Sequence, residues 1–111
     1  MIKRELESKI LELSKKYPVI SVIGPRQSGK TTLCKNLFNK YDYMNLEDLQ
    51  KREFAKEDPK IFLAQFKTGV ILDEIQHVPE LFSYIQTIVD ESKDMGKFIL
   101  SGSQNFFILE N

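Results

Sequence analysis

A chain of 111 residues makes one domain at most, and 41% hydrophobic with 29% charged residues is the composition of a folded globular protein, not a disordered one. Sixteen basic side chains balance sixteen acidic ones, so the charge gives no sign of a nucleic-acid or anionic-membrane partner, while leaving nucleic acid open for a longer protein. Cys34 is the single cysteine and excludes an internal disulfide. With no signal-like opening and no apolar run near the ~20 residues of a bilayer span, the expected compartment is the cytoplasm.

Residues 3–16 read as a leading helix within residues 1–17. Ile2, Leu6, Ile10 and Leu13 fall on one stripe, and Glu5 with Lys9 and Glu12 with Lys16 are acid-before-base pairs four apart. Pro18 ends it, because the residue before a proline is pushed out of the helical region. Val19-Ile20-Ser21-Val22-Ile23 is a β-branched run that reads as a buried strand. Residues 24–29 form a loop and 30–38 a helix, with Leu33, Leu37 and Phe38 inward. A second strand is expected over 41–46, weakened by Asp42 and Asn45. Residues 49–66 are helical, and Asp58-Pro59 is a stop-and-restart signal that divides them in two. Val70-Ile71-Leu72 is a third strand, 79–90 an apolar-faced helix and Phe98-Ile99-Leu100 a fourth strand. A further helix is expected over 104–110.

Strands separated by helices predict an α/β fold: three α/β/α layers around a parallel sheet of about four strands. Residues 1–111 contain no linker, repeat or low-complexity tract, and form one unit.

Gly24-Pro25-Arg26-Gln27-Ser28-Gly29-Lys30-Thr31 satisfies G-x-x-x-x-G-K-[ST] at every fixed position. Such a loop wraps a phosphate with inward backbone N–H groups, which requires dihedrals that glycine permits. It leaves a strand and enters a helix, whose N-terminal dipole points at the same phosphates. Lys30 is expected on the β- and γ-phosphates of ATP, the Thr31 hydroxyl on Mg²⁺, and Thr32 near the α-phosphate.

The strand ending Leu72-Asp73-Glu74 supplies two adjacent carboxylates. Asp73 is expected to hold Mg²⁺ through a water, and Glu74 to polarise the water that attacks the γ-phosphate. A guanine-specifying N-K-x-D motif is absent, and a carboxylate beside the magnesium aspartate suits an ATPase. In a parallel sheet, ligands sit beyond the carboxyl ends of the strands. Ser101 is therefore the first choice for a polar residue touching the γ-phosphate or the water, followed by Ser103 and Gln104; for Ser103 a helix N-cap is an equal reading.

His77 lacks ligands at metal spacing and reads as a polar loop residue. Cys34 reads as packing. Arg26 reaches either phosphate or solvent. Tyr41, Tyr43, Phe54, Phe62 and Phe66 read as core and helix-face aromatics, without the interleaved basic residues of a base-stacking platform.

The phosphate-loop run, with Thr32-Leu33, resembles the start of a prokaryotic AAA+-like ATPase family, in which an ATPase core is usually followed by a C-terminal domain of unknown function. The resemblance continues through Asn45-Leu46-Glu47-Asp48, Arg52 to Pro59, Leu72-Asp73-Glu74-Ile75-Gln76, Pro79-Glu80-Leu81 and Leu100-Ser101-Gly102-Ser103-Gln104. It implies nucleotide and Mg²⁺ contacts at Lys30 and Thr31, the second acidic motif at Asp73 and Glu74, and a polar sensor around Ser101. It also implies the sheet order 5-1-4-3-2. The chain stops after the fourth strand, without the family's fifth strand, arginine, lid or C-terminal domain. The expectation is the N-terminal portion of a longer ATPase, binding ATP through a complete loop but hydrolysing it weakly, because an arginine is worth ~10³–10⁵ in rate. The alternatives are a nucleotide-gated binding module without turnover and a P-loop kinase. Self-association through the uncovered edge of the first strand is also expected.

Overall fold

Alternating short β-branched runs and amphipathic stretches fold into a parallel sheet between helices. The computed structural model describes residues 2–23 and 29–102. The elements are α1 (Ile2–Lys16), β1 (Val19–Ile23), α2 (Lys30–Leu37), β2 (Asp42–Asn45), α3 (Leu49–Glu57), α4 (Pro59–Ala64), β3 (Val70–Asp73), a 3-10 turn (Ile75–His77), α5 (Leu81–Glu91) and β4 (Phe98–Gly102). The four strands are all parallel, in the order β1-β4-β3-β2. This is the order that the resemblance implied. Gly24, Pro25, Arg26, Gln27 and Ser28, together with Ser103, Gln104 and the helix expected over 104–110, lie outside the described residues.

The strands on the inside of the sheet are buried on both faces, and their alternate residues feed two cores. Val70, Leu72, Phe98 and Leu100 point into one, where Phe62, Leu63, Leu81 and Ile85 from α4 and α5 close over them. Ile71 and Ile99 point into the other, against Ile10 of α1, Leu33 and Cys34 of α2, and Phe38. Continuous apolar runs such as Val-Ile-Leu are what such a sheet needs. All four residues of β3 are buried.

The break expected at Asp58-Pro59 is present. The Asp58 backbone N–H closes α3 on the Phe54 carbonyl at 3.0 Å. Its side chain accepts from the Ile61 N–H at 3.3 Å, and Pro59 opens α4, where its missing donor costs nothing. Asp48 caps α3 in the same way, accepting from Gln50 at 2.9 Å and from Lys51 at 3.3 Å.

Three elements differ from the sequence expectation. The stripe on α1 is only partly used: Ile10 is buried but Leu6 is 41% exposed, because α1 packs on the sheet through its C-terminal half. Strand β2 is shorter than 41–46, and α5 begins at Leu81 because Pro79 and Glu80 form a turn. The C-terminal end of α1 is fixed by Gly96, whose N–H donates to the Tyr17 carbonyl at 2.8 Å and whose carbonyl accepts from the Tyr41 hydroxyl at 2.6 Å. Gly96 has φ 67, and a Cβ there would lie 2.5 Å from the Ser14 carbonyl oxygen, so only glycine fits. No helix among the described residues is long and apolar enough to cross a membrane.

Candidate functional site

Parallel strands all end on the same side of the sheet, so register decides which end residues meet. Val22 of β1 pairs with Ser101 of β4, and Asn45 of β2 pairs with Asp73 of β3. Asp73 and Ser101 therefore stand on adjacent strand ends, and α2 starts just past the end of β1.

Asp73 is the hub. It is 3% exposed. Its Oδ1 accepts from the Ser101 hydroxyl at 2.6 Å and from the Glu74 N–H at 3.0 Å. Its Oδ2 accepts from the Thr31 hydroxyl at 2.8 Å and from the Tyr43 hydroxyl at 2.6 Å. Burial alone would raise the carboxyl pKa, but the bonds from Ser101, Tyr43 and Thr31 and the field of Lys30 outweigh it and lower it. Asp73 is thus a buried carboxylate held in its ionised form.

Gly29 precedes α2 with φ 85, a left-handed conformation that glycine adopts without strain, and nothing lies within 4 Å of where its Cβ would be. Its carbonyl accepts the first helical bond, from Leu33, at 2.9 Å. Lys30 and Thr31 follow in the first turn. Lys30 is buried at 7% exposure, Thr31 is half-buried and Thr32 is exposed.

Glu74 is 7% exposed and has φ 56 and ψ 45, the only positive φ of a non-glycine among the described residues. Its Oε1 accepts from the Gln76 side-chain amide at 2.7 Å, and its carbonyl accepts from the His77 N–H at 3.2 Å. The Gln76 side-chain oxygen is buried without a partner among the described residues. His77 sits half-buried at the end of the 3-10 turn. Cys34 lies under the site with no exposed surface. Burial, with the Asp73 carboxylate adding and Lys30 opposing, pushes its thiol up to about 11.

Thr31, Asp73 and Ser101 are therefore brought into one hydrogen-bonded group, whose field Lys30 reaches. Ser101 gives its hydroxyl to Asp73. Tyr43 is the residue that the sequence did not promote. It looked like a core aromatic, and the partner that reveals its role is 30 residues away on another strand. The Tyr43 pKa is raised by burial and then by its bond to Asp73. Gln76 was likewise unassigned; its position two residues after Glu74 is the only local signal it carries.

A threonine hydroxyl on an ionised carboxylate is a pair of hard oxygens. No group of three or more His, Cys, Asp or Glu side chains stands together as a metal cage among the described residues. That donor set fits Mg²⁺, which is usually held by one or two protein oxygens together with substrate phosphates, better than Zn²⁺ or Ca²⁺.

Among known proteins, the chain is 27% identical over 106 residues to an uncharacterised protein of Mycobacterium bovis and, at the same identity and length, to one of Mycobacterium tuberculosis. In both, the alignment covers 91% of this chain but 23% of the relative, so the chain spans about a quarter of the length of these proteins. No solved structure matches it. The family model described as AAA domain matches residues 16–111, from the end of α1 through Lys30, Asp73 and Ser101. An all-parallel sheet in the order β1-β4-β3-β2 fits a nucleotide-binding ATPase core, and the chain belongs to the AAA domain family.

Proposed function

We propose that this chain binds Mg-ATP at the carboxyl end of its sheet and, within the intact protein, hydrolyses it. The observation that carries this reading is the 2.8 Å bond from the Thr31 hydroxyl to Asp73 Oδ2, which joins the residue after Gly29-Lys30 to a strand-end carboxylate 42 residues later.

In this mechanism the backbone N–H groups of 24–29 and the N-terminus of α2 bind the phosphates, with the ammonium of Lys30 on the β- and γ-phosphates. Thr31 and Asp73 would hold Mg²⁺, which when bound neutralises charge on the phosphate oxygens. Ser101 holds Asp73 ionised and in place. Glu74 orients the attacking water and accepts its proton. Because Glu74 follows Asp73 directly in the chain, its strained backbone sets where that carboxylate stands.

Calorimetry with Mg-ADP tests the binding step. Wild type should bind, and Lys30→Ala should reduce the affinity to an undetectable level; equal affinity of the two would overturn the assignment. Glu74→Gln should keep nucleotide affinity within a few-fold while lowering phosphate release by the intact protein ~10²-fold or more, in the range of a general base.

A second reading, a nucleotide-gated binding module without turnover, is favoured by the Gln76 amide on Glu74, which engages the carboxylate that hydrolysis needs. Absence of phosphate release by the intact protein, with nucleotide binding retained, would select it. A P-loop kinase would leave phosphate on an acceptor instead of releasing it.

A further inference from the structure

Asp73 has no acceptor position left. A carboxylate offers about four lone-pair sites. Ser101 and the Glu74 N–H take those of Oδ1 at 2.6 and 3.0 Å, and Thr31 and Tyr43 take those of Oδ2 at 2.8 and 2.6 Å. A cation at Thr31, or a water carried on it, can reach Asp73 only if one of these donors leaves.

The packing decides which. Ser101 is 1% exposed on an inner strand, and losing its partner would leave a buried hydroxyl unsatisfied. The Glu74 N–H belongs to the main chain, held by the left-handed turn that follows β3. The Thr31 oxygen can face a cation while its proton stays on Oδ2, so it need not leave. Tyr43 differs from all three. It is half-buried on β2, an outer strand of the described sheet, where its ring packs against the core that holds Leu33 and Cys34, and the ammonium of exposed Lys35, 4.1 Å from the ring centroid, can follow the ring.

We propose that Tyr43 is a positioning residue of this site and the one donor that divalent-cation binding displaces: its phenol occupies a lone-pair site of Asp73 Oδ2 and competes with the metal for that oxygen. The inference rests on the Mg-nucleotide reading above. It assigns Tyr43 a role opposite in sign to that of a structural prop, because removing the competing hydroxyl strengthens cation binding.

Tyr43→Phe removes the hydroxyl and keeps the ring. Mn²⁺ binding at saturating ADP, measured by electron paramagnetic resonance of free Mn²⁺, should tighten by about tenfold in Tyr43→Phe, the scale of one hydrogen bond to a charged group. Tyr41→Phe, whose hydroxyl serves Gly96, should leave the Mn²⁺ affinity at the wild-type value. The second readout is intrinsic fluorescence. The chain has four tyrosines and no tryptophan, and a phenol bonded to a carboxylate is quenched. Adding Mg²⁺ to the ADP-loaded wild type should raise the emission, and Tyr43→Phe should lack that rise. An unchanged or weaker Mn²⁺ affinity in Tyr43→Phe, or a fluorescence rise that survives in it, overturns the proposal while leaving Mg-nucleotide binding intact. If wild type binds neither ADP nor Mn²⁺, the site reading fails and the inference falls with it.

Discussion

At Glu74 the backbone adopts a left-handed conformation, which costs a residue with a Cβ roughly 1–2 kcal/mol. Such strain persists where the surroundings over-determine it, and here the Asp73 carboxylate, the Gln76 amide and the His77 N–H all bind Glu74. Cys34 is another residue whose environment changes its chemistry. Its folded thiol pKa is about 11 against an ordinary 9.0. Between those values the unfolded chain has released a proton that the folded chain keeps. The stability attached to Cys34 is therefore complete below pH 9.0 and falls as pH rises toward about 11. Unfolding free energies from urea titrations between pH 8 and 11 should decline more steeply in wild type than in Cys34→Ala, by up to ~1.4 kcal/mol per pH unit. Parallel declines would show that the thiol titrates the same way in both states. Tyr41 and Tyr43, also raised by burial, act in the same direction in both proteins and cancel from the comparison.

Among the elements, β1 has one partner, β4, within the described residues. Val19–Ile23 contains no Pro, Lys or Glu to guard an edge. Ile20 and Val22 are buried beneath α1 and α2, so what the edge offers a second copy is unpaired backbone N–H and C=O groups more than apolar side chains. We expect this 111-residue chain to dimerise at high micromolar concentration; a monomer in sedimentation at that concentration, with and without nucleotide, would remove the idea. The elements themselves were largely legible in the sequence. Val19–Ile23 and Val70–Asp73 announce themselves as β-branched and aliphatic runs, and Asp58-Pro59 as a helix break, because local chemistry specifies each. The 3-10 turn Ile75–His77 was not legible. It exists because Glu74 turns left-handed, a conformation that no propensity would assign to glutamate.

For the whole molecule, the sheet order came from family resemblance and not from patterning, since periodicity identifies strands but not their neighbours. The same limit explains the site. Gly29, Lys30 and Thr31 follow from a motif with fixed spacing and Asp73-Glu74 from an apolar strand that ends in two carboxylates, whereas Tyr43 enters only through the folded register of β2 on β3. That register has a consequence for how the molecule comes together. The side chains bound to Asp73 lie 28, 30 and 42 residues from it along the chain, so none can find it before the sheet has closed over long loops. A collapsed intermediate with its helices formed would still lack the cluster, and nucleotide would discriminate finished from unfinished molecules. Ligand bound only to the completed state holds it by mass action, ~2.7 kcal/mol at a hundredfold excess over Kd. Contacts absent from the folding transition state act on the unfolding limb, so nucleotide should lengthen the lifetime of the folded chain without hastening its formation.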